Sequence, residues 1–111
     1  MKKILIVDDE PNIVMSLEYT FKKNNFEVFI ARDGLEALDI LKTNFPDVII
    51  LDVMMPMVDG YATLEQIRKD DNLQHTKVMF LSAKNKESDI EKGLALGADA
   101  YMTKTFSIKK V

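Results

Sequence analysis

Three runs of consecutive apolar residues, Ile4–Val7, Val48–Leu51 and Val78–Leu81, each end on polar groups: Asp8-Asp9, Asp52 and Ser82. A half-exposed strand alternates apolar and polar positions, so these runs predict strands covered on both faces. Val28–Ala31 and the short 99–102 stretch complete five strand candidates. Between them the period changes to that of helices. Residues 11–24 open on Pro11, suited to a first helical turn, and carry Ile13, Leu17 and Phe21 four apart. Asp33-Gly34-Leu35-Glu36 has the form of a capping box with Asp as cap, followed by Leu35, Leu38 and Leu41 on one face. Asp59 is placed to cap a third helix carrying Leu64 and Ile67. A fourth, from about Lys86, carries Ile90 and Leu94 and stops at Gly97.

Strand–helix alternation ending on a fifth strand predicts an α/β fold: a doubly wound, five-stranded parallel sheet with helices on both faces. The 111 residues suit one domain, 1–111, with no linker, repeat or low-complexity segment. One element is missing from the pattern. After the fifth strand, Phe106–Val111 is at most a first helical turn, so a fifth helix is truncated or absent, or a partner or swapped segment covers that face.

Composition narrows the class. The chain is 47% hydrophobic and 30% charged, and has no apolar run near the length of a membrane span. The basic-then-apolar start is only superficially like a signal peptide, because two aspartates end it after four apolar residues. The absence of cysteine rules out disulfides and thiolate metal sites and fits a reducing, cytoplasmic setting. A formal charge of −3, with no basic run longer than two, argues against direct nucleic-acid binding.

The chemistry lies at the strand ends. In open parallel sheets, ligands bind outside the carboxyl ends of the strands where the winding reverses. If strands one and three are neighbours, Asp8, Asp9 and Asp52 converge. Their mutual repulsion raises at least one pKa, and a hard divalent cation such as Mg²⁺ relieves it. Asp8-Asp9, the stretch Asp52-Val53-Met54-Met55-Pro56-Met57-Val58-Asp59-Gly60, Ser82-Ala83, and Lys104 with Phe106 together resemble the receiver domain of two-component response regulators. The resemblance runs from Lys2 to about Ile108.

It implies the flavodoxin-like strand order 2-1-3-4-5 of the chemotaxis members. It also implies that Asp52 is a phosphoacceptor, taking a phosphoryl group from a sensor histidine kinase, a phosphotransfer protein or a small phosphodonor. Asp9, Asp52 and the main-chain carbonyl of Met54 would hold Mg²⁺, with Asp8 reaching it directly or through water. Lys104 and Ser82 would bind the phosphoryl oxygens. Ser82 and Tyr101 would act as the switch, Tyr101 turning into the space Ser82 vacates. The face of strand four, helix four and strand five would meet an output domain or protein. Such a domain is a signalling module rather than an enzyme. By the same resemblance Met54 and Lys84 flank the site and influence acyl-phosphate lifetime, and Met54, Met55 and Met57 share one loop.

Two departures stand out. Lys104 precedes Thr105 where the family has proline, often cis; a cis bond to a non-proline residue costs about 3–4 kcal/mol, so a trans bond is expected here. The other is the absent fifth helix. Rival readings fit less well. A haloacid-dehalogenase-type phosphatase would want an aspartate where Met54 stands, together with a substrate cap. A flavin carrier would want a Ser/Thr/Gly-rich loop where Asp-Asp-Glu-Pro stands. A degenerate receiver that only binds partners is the remaining alternative. His75 falls in a polar loop and is expected to be solvated rather than a phosphodonor.

Overall fold

Every residue of the first apolar run, Ile4 to Val7, is fully buried in the computed structural model, which describes residues 1–54, 59–83 and 86–104 and the backbone of 108–110. The run lies in strand β1 (Lys3–Val7). It is followed by α1 (Pro11–Lys23), β2 (Glu27–Ala31), α2 (Gly34–Ile40), β3 (Val48–Leu51), α3 (Gly60–Lys69), β4 (Lys77–Ser82), α4 (Glu87–Ala95), β5 (Ala100–Thr103) and β6 (Ile108–Lys110). The sheet order is β2-β1-β3-β4-β5-β6. The first five strands pair in parallel, in the expected 2-1-3-4-5 arrangement.

Side chains of a strand alternate between faces, and this divides the core in two. Leu5, Val7, Ile49, Leu51, Val78 and Phe80 pack with Ala37 and Leu41, Leu64 and Ile67, and Ile90, which places α2, α3 and α4 on one face. Ile4, Ile6, Ile50 and Leu81 face the opposite way, against Ile13, Leu17 and Phe21 of α1. The continuous apolar runs follow directly from burial on both faces.

The helix boundaries have local causes. The Asp33 carboxylate accepts the Glu36 N–H at 2.8 Å, and the Asp59 carboxylate accepts the Ala62 N–H at 2.9 Å. Each satisfies a first-turn donor that lacks a helical partner. The chain leaves α4 through Gly97 at φ +110°, a conformation that costs a glycine little.

Two expectations are corrected. Leu35 is 47% exposed, and the inward stripe of α2 is Gly34, Ala37 and Leu41, with Leu38 half-buried. At 3.6 residues per turn the positions 34, 37, 38 and 41 share a face, and Leu35 is rotated off it. At the C-terminal end, Ile108–Lys110 forms a strand antiparallel to β5, pairing Met102 with Ile108 and Ala100 with Lys110, instead of a first helical turn. That pairing gives partners to the outer backbone groups of β5, which otherwise form an open sheet edge.

Candidate functional site

Main-chain hydrogen bonds at the end of the sheet fix the site residues before any side chain is considered. The Asp8 N–H donates to the Ala31 carbonyl (3.1 Å), the Asp52 N–H to the Val7 carbonyl (2.9 Å), and the Lys104 N–H to the Ser82 carbonyl (2.8 Å). Asp8 and Asp52 therefore leave neighbouring strands side by side where the winding reverses, the expected binding crevice of such a sheet. Behind Asp52, α3 begins against the strand end: a Cβ on Gly60 would lie 2.2 Å from the Asp52 carbonyl oxygen and 2.7 Å from the Val53 Cα.

The side chains converge. One carboxylate oxygen from each of Asp8, Glu10 and Asp52 lies within 4.8 Å of the others. The Lys104 ammonium sits among them, 3.4 Å from Asp8 Oδ2 and 3.4 Å from Asp52 Oδ2, and hydrogen-bonded to Glu10 Oε1. Asp8 and Asp52 are each only 2% exposed. Their remaining oxygens are steadied locally, since the Glu10 N–H donates to Asp8 Oδ1 at 2.9 Å and the Met54 N–H to Asp52 Oδ1 at 3.2 Å.

Burial, and then the charge of Asp8, push the Asp52 carboxyl up to about 6. Burial likewise raises Asp8. Burial opposes the charge on Lys104, but its hydrogen bond to Glu10 and the charges of Asp52 and Asp8 outweigh that and hold it at about 12. Three carboxylates and one ammonium leave two negative charges when all are ionised, and Asp8 Oδ2 is buried with no hydrogen-bond partner beyond its ion-pair contact with Lys104. An all-oxygen, doubly negative cluster with an unsatisfied buried oxygen fits a hard divalent cation.

Of the residues singled out in the sequence, the structure gathers Asp8, Asp52 and Lys104. Asp9 is exposed; it lines, with Asp8, Pro11, Val14, Met15, Ile30 and Arg32, a cleft of about 390 Å³ beside the cluster. Met54 presents its side chain to solvent, 58% exposed, two residues past Asp52. Ser82 is buried at the end of β4. Tyr101 already points inward, with no exposed surface. Lys84, Met55, Met57, Thr105 and Phe106, and with them the Lys104–Thr105 peptide, lie outside the described residues. Glu10 was missed. Nothing in its run separates it from an ordinary acidic helix start, but Pro11 opens α1 at the next residue, and the extended backbone at Glu10 (φ −92°, ψ 110°) leaves its carboxylate within reach of Lys104.

The fold and the acidic strand-end cluster with its lysine define a phosphoacceptor class of signalling domain, and the comparisons agree. The chain matches the Response regulator receiver domain family over residues 4–111 and belongs to it. It is 46% identical over 110 residues to the alkaline phosphatase synthesis transcriptional regulatory protein PhoP of Bacillus subtilis (strain 168), covering 99% of this chain and 45% of that protein. The chain thus spans less than half the length of that relative. Among solved structures it resembles the receiver domain of the Francisella response regulator 1452, with 38% identity, a TM-score of 0.87 and coverage of 96% and 87% of the two chains. It also resembles the Mn²⁺-bound form of response regulator Rcp1, with 28% identity, a TM-score of 0.85 and coverage of 94% and 81%. Among the described residues, no helix is long and apolar enough to cross a membrane.

Proposed function

We propose that residues 1–111 form one receiver unit in which Asp52 accepts a phosphoryl group from a sensor histidine kinase, a phosphotransfer protein or a small phosphodonor. The carrying observation is the buried Asp52 carboxylate, flanked by Asp8 and contacted at 3.4 Å by the Lys104 ammonium. An Asp52 carboxylate oxygen attacks phosphorus, forming the O–P bond of an acyl phosphate. The bond from phosphorus to the donor breaks, and the donor leaves with the electron pair. Repulsion between a carboxylate and an anionic donor is the obstacle, so the reaction depends on alignment and charge stabilisation.

Lys104 supplies an ammonium to the transferred oxygens and Ser82 a hydroxyl. Asp8, Asp9, Asp52 and the Met54 carbonyl are the resemblance's candidates to hold Mg²⁺, and the cluster geometry adds Glu10 to them. When bound, the cation neutralises charge on the phosphoryl oxygens; the manganese in the Rcp1 relative supports a divalent ion here. The resulting change at Ser82 would be read at the β4–α4–β5 face by an output domain or protein, in the cytoplasm, where histidine kinases deliver their phosphoryl groups. The unit is a signalling module that catalyses only its own phosphorylation and dephosphorylation.

Incubation with acetyl phosphate and Mg²⁺, followed by intact mass measurement, tests the reading. One phosphoryl group is expected on the wild type and none on Asp52→Ala. Equal labelling of the two proteins would remove Asp52 from the mechanism.

A further inference from the structure

Glu10 stands just before Pro11, and its backbone is fixed on both sides. Its N–H donates to Asp8 Oδ1 at 2.9 Å, and its carbonyl accepts the Val14 N–H at 3.1 Å where α1 begins. The Glu10 side chain makes no capping bond to the helix; the shorter Ser, Thr, Asp and Asn are the residues suited to that work. Its carboxylate is engaged elsewhere, by the Lys104 ammonium 94 residues along the chain. The Lys104 backbone is fixed as well, its N–H donating to the Ser82 carbonyl at 2.8 Å. The pair therefore bridges the ends of β1 and β5, and β3 with its Asp52 lies between those strands in the sheet.

The three carboxylates do not hold the ammonium equally. Glu10 Oε1 is in direct hydrogen-bond contact, whereas Asp8 Oδ2 and Asp52 Oδ2 each stand at 3.4 Å, beyond the ~2.7–2.9 Å of a charge-assisted bond. They differ in freedom too. Asp8 and Asp52 are buried, each with its other oxygen bonded to a main-chain N–H, while the Glu10 side chain is 55% exposed. A divalent cation drawn to Asp8 and Asp52 repels the ammonium and competes for the same oxygens. Of the three acids, Glu10 alone is exposed and able to follow the ammonium as it withdraws. We propose that Glu10 is a positioning residue: it holds the Lys104 ammonium at the rim of the cluster and keeps hold of it when a divalent cation occupies Asp8 and Asp52. The lysine then stays beside the phosphoacceptor instead of swinging into solvent, and Glu10 serves the lysine and not the cation. The retention rests on the phosphoacceptor reading and its cation; the hold in the ion-free protein does not.

Carbodiimide crosslinking with peptide mapping reads the contact, because the reagent joins a carboxylate to an amine it touches and Glu10 is the exposed acid of the cluster. A Glu10–Lys104 linkage is expected in the ion-free protein and, at equal yield, at Mg²⁺ saturation followed by calorimetry. Side-chain ¹³C relaxation at the Lys104 Cε gives a second readout, with Lys42, 74% exposed, as the mobile standard. In wild type, Lys104 should remain more ordered than Lys42 with and without Mg²⁺. Glu10→Ala truncates an exposed side chain and should leave the fold intact. In this variant Lys104 should stay ordered between Asp8 and Asp52 without the ion and fall to the Lys42 level with Mg²⁺. Loss of the wild-type crosslink on Mg²⁺ binding, with Lys104 becoming mobile, would make Glu10 a ligand of the cation and overturn the proposal. So would a Lys104 that stays ordered in Mg²⁺-bound Glu10→Ala. Absence of the linkage from the ion-free protein overturns the hold itself. A protein that binds no Mg²⁺ counts against the phosphoacceptor reading and the retention with it, and the ion-free crosslink still decides the hold.

Discussion

Asp52→Asn should stabilise the ion-free domain at neutral pH, although it removes the proposed nucleophile. The carboxyl titrates at about 6 in the folded chain against 3.8 when unperturbed, because burial and the charge of Asp8 disfavour ionisation more than Lys104 favours it. The folded state therefore holds this proton more tightly than the unfolded state. The benefit is fully present below about pH 4, and it is lost as pH rises through about 6. At about 1.4 kcal/mol per tenfold difference in proton affinity, ionising Asp52 within the fold costs roughly 3 kcal/mol. Asparagine keeps the shape and carries no charge, so it escapes that cost. Urea unfolding with a chelator present should show the variant equal to wild type near pH 4 and more stable by about 2–3 kcal/mol near pH 7.5. A saturating divalent ion at ~100 times its Kd should return roughly 2.7 kcal/mol to the wild type and narrow the gap. A variant no more stable than wild type at the higher pH, or a gap independent of pH, would refute the claim that Asp52 is held ionised against an electrostatic cost.

Two further substitutions probe the same corner of the fold. Gly60→Ala places a Cβ 2.2 Å from the Asp52 carbonyl oxygen, against backbone that has no rotamer to move. It should cost about 3 kcal/mol or more and lower Tm by roughly 10 °C, and a thermal melt within about 2 °C of wild type would count against that close approach. Met54→Ala trims a side chain that is 58% exposed, so stability should change by less than about 0.5 kcal/mol. The decay rate of the acyl phosphate should change severalfold, and identical decay curves would show that Met54 does not govern water access.

What could be read from the sequence was whatever depended on local order. Ile4–Val7, Val48–Leu51 and Val78–Leu81 announce covered strands because burial on both faces leaves no room for polar residues, and Asp8, Asp52 and Lys104 are legible because each follows the end of a strand. Leu35 failed because stepping by threes along α2 drifts away from the true 3.6-residue stripe of Gly34, Ala37 and Leu41. Ile108–Lys110 failed because edge pairing with β5 is a property of the sheet and leaves no periodic mark on three residues. Glu10 and Tyr61 escaped for a related reason: their partners, Lys104 and the Asp89 carbonyl, are distant in the chain, and neither residue type is unusual where it stands. What distinguishes them is the turn that precedes each one. Extended backbone at Glu10, set by Pro11, turns one acid toward the lysine. The missing Cβ of Gly60 seats α3 directly against the Asp52 strand end, and the next residue is then the tyrosine whose ring packs on Phe80 and whose hydroxyl reaches the Asp89 carbonyl of α4. The same close approach that seats α3 against the Asp52 strand end also sets the contact between α3 and α4, so both rest on one meeting of backbone segments.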